Sequence, residues 1–185
     1  MSLTHRFVAH AAATIASLAL AHGAQAQEAP RFYVQAGSGA ESAYASTLGI
    51  TLPWRSWSWE VGGGVVRGQW DVSLSNWSSR PQGQARRNTL WIAAGPALRW
   101  RGAAGASPWF VELGTALAYA NRHYRNDSDA FSTRYNFASH IGVGRNWGPH
   151  RQHELSLRVQ HTSNAGIKDP NPGENFVLLR YAHAF

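Results

Sequence analysis

The chain ends Phe176-Val177-Leu178-Leu179-Arg180-Tyr181-Ala182-His183-Ala184-Phe185. A β-strand turns successive side chains to opposite faces, so Val177, Leu179, Tyr181, His183 and Phe185 share one face. That face is largely apolar and finishes on an aromatic ring, as expected of a closing strand in a β-barrel set in lipid. A soluble β-sandwich with an aromatic core is the competing fold, and this terminal face argues against it.

Upstream, the same kind of segment recurs. Alternating or aromatic and β-branched stretches occupy 31–37, 43–52, 57–70, 89–100, 109–119, 134–146 and 153–163, with 176–185 as the eighth. None is apolar for long enough to cross a membrane as a helix. The expected fold is therefore all-β, an eight-stranded antiparallel transmembrane barrel. The connections 53–56, 101–108 and 147–152 are short and contain Gly or Pro turn formers or polar residues, whereas 71–88, 120–133 and 164–175 are longer and more polar. Short periplasmic turns and long external loops have this asymmetry, which sets the last loop on the cell exterior. Of the nine tryptophans, Trp54, Trp57, Trp70, Trp100 and Trp109 stand near segment ends, as in an interfacial girdle. Gly62-Gly63-Gly64 falls inside the third segment, where small residues suit barrel curvature or close packing.

The other end of the chain reads as an export leader. Arg6 supplies positive charge, 11–21 is a short apolar run, and Ala24-Gln25-Ala26 is a small-x-small cleavage site. Residues 1–26 are thus expected to be a signal peptide and 27–185 a single barrel domain. There is no cysteine, which excludes disulfides, thiolate nucleophiles and zinc–thiolate sites. The net charge is +7, and a basic exterior suits an anionic partner. Nucleic acid is not expected, because the arginines are scattered and an exported chain rarely meets it. A phosphorylated lipid head group fits better. His123, His140, His150, His153 and His183 show no zinc-like spacing, and Asp127 with Asp129 is too few carboxylates for a calcium site. Neither a metal nor a cofactor is implied.

The chemistry concentrates in the seventh segment. Leu155, Leu157 and Val159 share a face, and the same parity carries on to His161 and Ser163. Residues two apart on a strand lie about 6.5 to 7 Å apart at Cα, within reach for an imidazole to serve a neighbouring hydroxyl as base. A lipid-facing nucleophile at the external rim meets the ester carbonyls of lipids beside the barrel. His-x-Ser alone is a frequent surface pair.

The run His161-Thr162-Ser163-Asn164-Ala165-Gly166, with Pro170-Asn171-Pro172-Gly173 after it, resembles the signature of the lipid A 3-O-deacylase family, the PagL-type outer-membrane esterases. The resemblance is local but holds the family's spacing. It implies an outer-membrane ester hydrolase acting on lipid A of lipopolysaccharide, its site toward the outer leaflet. It further implies Ser163 as nucleophile, His161 as general base, Asn164 and Asn171 as site-shaping amides, and the 164–166 backbone, Gly166 included, as the place for oxyanion donors. Asn, Gly and Pro are also good turn formers, so a tight loop is the plainer reading of the same residues.

The acid departs from the pattern. The family's glutamate position is held here by Asn175, with Glu174 one residue nearer. Because a carboxylate stabilises imidazolium and an amide does not, Glu174 is the expected partner of His161, a bulge at the loop exit restoring its aim. Asn175 is the alternative and Asp169 a remote third. The competing functional classes are a non-enzymatic structural or adhesion barrel and an outer-membrane phospholipase.

Overall fold

The computed structural model describes residues 28–40, 42–126 and 130–185. The expected leader with its cleavage after Ala26, and the pair Asp127 and Asp129, lie outside the described residues. Eight strands follow one another: β1 (Arg31–Gly39), β2 (Tyr44–Val61), β3 (Gly64–Ser79), β4 (Arg87–Arg101), β5 (Trp109–Ala120), β6 (Tyr135–Trp147), β7 (His153–Ser163) and β8 (Glu174–Ala184). Each pairs antiparallel with its neighbours in the chain, and β1 pairs with β8 to close the barrel. Closure satisfies the backbone of every strand edge within the sheet, which an apolar surround requires.

The two-residue period decides what faces lipid. β6 alternates exposed and buried throughout, and the exposed set around the barrel includes Leu48, Leu74, Ile92, Leu113, Ile141, Leu157 and Leu179. Trp57, Trp59, Trp70, Trp100, Trp109 and Trp147 are also exposed. They lie toward the ends of the strands joined by the short turns, as a girdle does. Trp54 instead packs half-buried over Gly68.

One segment boundary differs from the sequence reading. Pro53 does not end a strand: β2 runs through it with a register shift between Pro53 and Ser58, and the turn falls at Gly62-Gly63, both in the left-handed region. A proline tolerated at a bulge and two adjacent positive-φ glycines in a tight hairpin explain the difference. Glycines 62 and 63 are thus turn residues, and β3 extends to Ser79, shortening the second external loop.

The barrel is filled by side chains, as eight strands allow. On the external side, Trp77, Trp91 and Phe176 pack with Tyr124 and Phe131, which fold inward from the β5–β6 loop. Toward the short turns the interior is ionic. Arg99 bridges Glu112 and Glu154 at 2.7 Å each, Arg158 pairs with Glu112 and Asp71, and Arg180 with Asp71. Arg101 and Arg31 meet Glu28 at 2.7 and 2.9 Å. Several of the arginines expected on a basic exterior are thus interior ion-pair members. A void of about 40 Å³ remains among these layers.

Candidate active site

β7 carries Leu155, Leu157, Val159, His161 and Ser163 on its outward face, while Glu154, Ser156, Arg158 and Thr162 point inward. His161 is exposed and Ser163 half-buried, at the strand's external end. The register sets Phe137 of β6 opposite Ser163, Ser139 opposite His161, and Asn175 of β8 opposite His161 on its other side. The histidine and serine therefore stand on one lipid-facing surface, bordered by the exposed apolar side chains of Phe137, Val159 and Val177.

His161 Nδ1 donates to Asn175 Oδ1 at 2.8 Å. With that nitrogen carrying the hydrogen, Nε2 keeps the lone pair, the tautomer a general base needs. A second constraint comes from Gly173, at φ +72°. A methyl group built there would stand 2.7 Å from Cε1 of His161 and 3.3 Å from Nε2, so the imidazole packs where only glycine leaves room.

Glu174, the expected partner of His161, is not brought to it. It opens β8 on the inward parity, 2% exposed, and accepts hydrogen bonds from Tyr124 Oη at 2.9 Å and Asn126 Nδ2 at 3.1 Å. β8 begins without a bulge, Thr162 pairing with Glu174 and His161 with Asn175. The period of two thus sends adjacent residues to opposite sides of the wall. Asp169 is exposed in the loop.

The loop after Ser163 is built by its asparagines. Asn164, 1% exposed, donates from Nδ2 to the Lys168 carbonyl at 2.6 Å and to Ser132 Oγ at 3.0 Å, and its Oδ1 accepts from Gly166 N–H at 3.0 Å. Asn171 Oδ1 accepts from Asn164 N–H at 2.9 Å. Two backbone donors expected to face an oxyanion are therefore engaged within the loop, while the Ala165 N–H has no acceptor among the described residues. Ser132 also donates from Oγ to the Lys168 carbonyl at 2.7 Å, tying the β5–β6 loop to the β7–β8 loop. Sequence reasoning passed over Ser132, Tyr124 and Asn126, since an aperiodic loop gives no signal of a long-range partner. Gly173 is different: it follows Pro172 in the run on which the family resemblance rests.

The family profile described as lipid A 3-O-deacylase (PagL) matches residues 42–184. The lipid A deacylase PagL of Pseudomonas aeruginosa is 29% identical over 172 residues, covering 91% of this chain and 94% of that protein. The lipid A deacylase PagL of Bordetella bronchiseptica is 29% identical over 133 residues, covering 70% of each. The crystal structure of the outer membrane enzyme PagL superposes with a TM-score of 0.71 at 24% identity, covering 84% of this chain and 99% of that one, and shares the barrel fold. The lipid-facing exterior and this kinship place the chain in the Gram-negative outer membrane. With the profile reaching from β2 to the last residues of β8, the chain belongs to the lipid A 3-O-deacylase (PagL) family.

Proposed function

We propose that this protein hydrolyses the 3-O-linked acyl ester of lipid A by a serine mechanism in which an asparagine, not an acid, positions the base. The observation that carries the reading is the His161–Asn175 hydrogen bond on the face that also holds Ser163. Ser163 Oγ attacks the ester carbonyl as its proton passes to His161 Nε2. The Ala165 N–H, two residues from the nucleophile, is the donor we assign to the oxyanion. Collapse of the tetrahedral intermediate releases the sugar hydroxyl, protonated by His161, and leaves an acyl-serine. Water, deprotonated by the same imidazole, then frees the fatty acid and restores Ser163.

Asn175 fixes the ring's tautomer and orientation but adds no charge to stabilise imidazolium. Asn164, Gly166 and Asn171 act by shaping the loop. Mass spectrometry of lipid A from cells expressing the parent chain or Ser163→Ala tests the reading. The expected result is loss of one 3-hydroxyacyl unit with the parent and an intact lipid with the variant. Unchanged lipid A with the folded parent, or cleavage of glycerophospholipid in its place, would overturn it.

A further inference from the structure

At the external lip of the barrel, just before the strand that pairs with the Ser163 end of β7, a guanidinium is held in a fixed pose. Arg134 closes the β5–β6 loop immediately before β6. Its carbonyl accepts from Ala120 N–H at 2.8 Å, and its Nε donates back to the Ala120 carbonyl at 2.9 Å. Its Cζ lies 4.6 Å from the centroid of the Tyr119 ring, and that ring packs at 4.7 Å against Tyr135, its partner across the strand pair. The turn below is locked as well: Thr133 Oγ1 donates to the Tyr135 carbonyl at 2.8 Å and Asn136 Nδ2 to the Thr133 carbonyl at 3.2 Å. These contacts use Nε and one face of the guanidinium. Nη1 and Nη2 have no protein partner among the described residues.

The location matches a head group. Phe137 is opposite Ser163, and Arg134 lies three residues further toward the exterior, just before that neighbouring strand begins. This is one strand spacing of about 4.8 Å across and about 10 Å up from the nucleophile. The exposed apolar wall that would take an acyl chain, with Val159 and Val177, lies the other way. Lys168, exposed, stands on the loop that Ser132 ties to the same turn. A guanidinium whose two Nη amino groups have no acceptor among the described residues presents the planar fork that matches a phosphate, and bracing by Tyr119 and Ala120 reduces the entropy lost on binding.

We propose that Arg134 receives a phosphate of the phosphorylated sugar whose acyl ester reaches Ser163, fixing the depth and orientation of the head group. This rests on the lipid A reading above. The competing role is an interfacial anchor only, an arginine lying on a tyrosine at the membrane surface.

The test compares bisphosphorylated lipid A with the same lipid stripped of its phosphates, in detergent micelles, for the parent, Arg134→Gln and Arg134→Lys. Loss of a charge-assisted contact should raise KM about 10-fold or more for the parent when phosphate is removed. Arg134→Gln should raise KM similarly on the phosphorylated lipid, leave kcat nearly unchanged, and have no effect on the stripped lipid. Arg134→Lys should recover part of the loss. Equal KM for the two lipids with the parent, or an equal rise on both with Arg134→Gln, makes Arg134 an anchor only. The comparison within the parent stands even where a variant folds poorly. Binding of both lipids to Ser163→Ala separates the two claims. Phosphate-selective binding without hydrolysis by the parent retains the anion site and overturns the esterase reading, whereas hydrolysis indifferent to phosphate does the reverse.

Discussion

His161 and Asn175 face each other directly across the β7–β8 pair, the imidazole Nδ1 donating to the carboxamide oxygen at 2.8 Å. An amide in this place orients the ring without compensating the positive charge it acquires. Asn175→Ala should therefore lower turnover on lipid A by on the order of 10²-fold, the scale on which small misplacements act. Asn175→Glu should raise turnover above the parent, because a carboxylate favours the charged imidazole formed as Ser163 attacks. A rate unaffected by Asn175→Ala would remove this residue from the mechanism.

Glu174 has a different task. It holds the β5–β6 loop to the start of β8 through Tyr124 and Asn126. Glu174→Gln keeps an acceptor for both donors, so turnover should stay near the parent level. Glu174→Leu removes the acceptor, at a cost of about 1–3 kcal/mol for buried donors that lose a partner. It should appear as a lower unfolding temperature and faster proteolysis within residues 121–133. Loss of turnover in Glu174→Gln with an unchanged unfolding temperature would return this carboxylate to the catalytic machinery.

The contrast between these neighbours was legible in the sequence. Val177, Leu179 and Tyr181 assign the odd positions of the last segment to lipid, and carrying that parity back two residues places Asn175 outside and Glu174 inside. A carboxylate is the better partner for an imidazole that becomes charged, but β8 has no bulge that would bring Glu174 to His161. The same period located His161 and Ser163 on the lipid face and bounded β7 at His153 and Ser163. It failed at Pro53, where a strand passes through a proline by changing register, and at Gly62-Gly63, where the turn needs φ values no periodicity reports. The interior ion pairs were illegible for another reason. Glu112 and Arg158 are 46 residues apart and meet only because the barrel closes.

Those interior pairs make stability depend on acid. Burial would raise the Glu28 carboxyl, but Arg99, Arg101 and Arg31 outweigh it and bring it from 4.5 down to about 2. A carboxyl depressed in the folded state contributes stability that is fully present above its unfolded value and is lost as pH falls through the folded one. The contribution of Glu28 should thus be complete above about pH 5 and decline between about 4.5 and 2. Denaturant unfolding of the parent and Glu28→Gln should show the parent more stable at neutral pH, with the gap closing across that interval. A gap that stays constant from pH 7 to 3 would mean that Glu28 carries no such charge linkage.

Gly173 and Gly166 offer a matched pair. Both lie in the left-handed region, φ +72° and +78°, so alanine pays a similar backbone strain, on the order of 1 kcal/mol, at either site. Their surroundings differ. A methyl group at Gly173 would meet the His161 ring at 2.7 Å, whereas one at Gly166 has nothing within 4 Å. Gly166→Ala also keeps the backbone N–H that Asn164 Oδ1 accepts. Gly173→Ala should therefore push the imidazole away from Asn175 and lower turnover on the order of 10²-fold, with the heat-dependent gel shift of the folded barrel intact. Gly166→Ala should stay within a few-fold of the parent. Equal losses in the two variants would trace the effect to loop strain and not to the placement of His161.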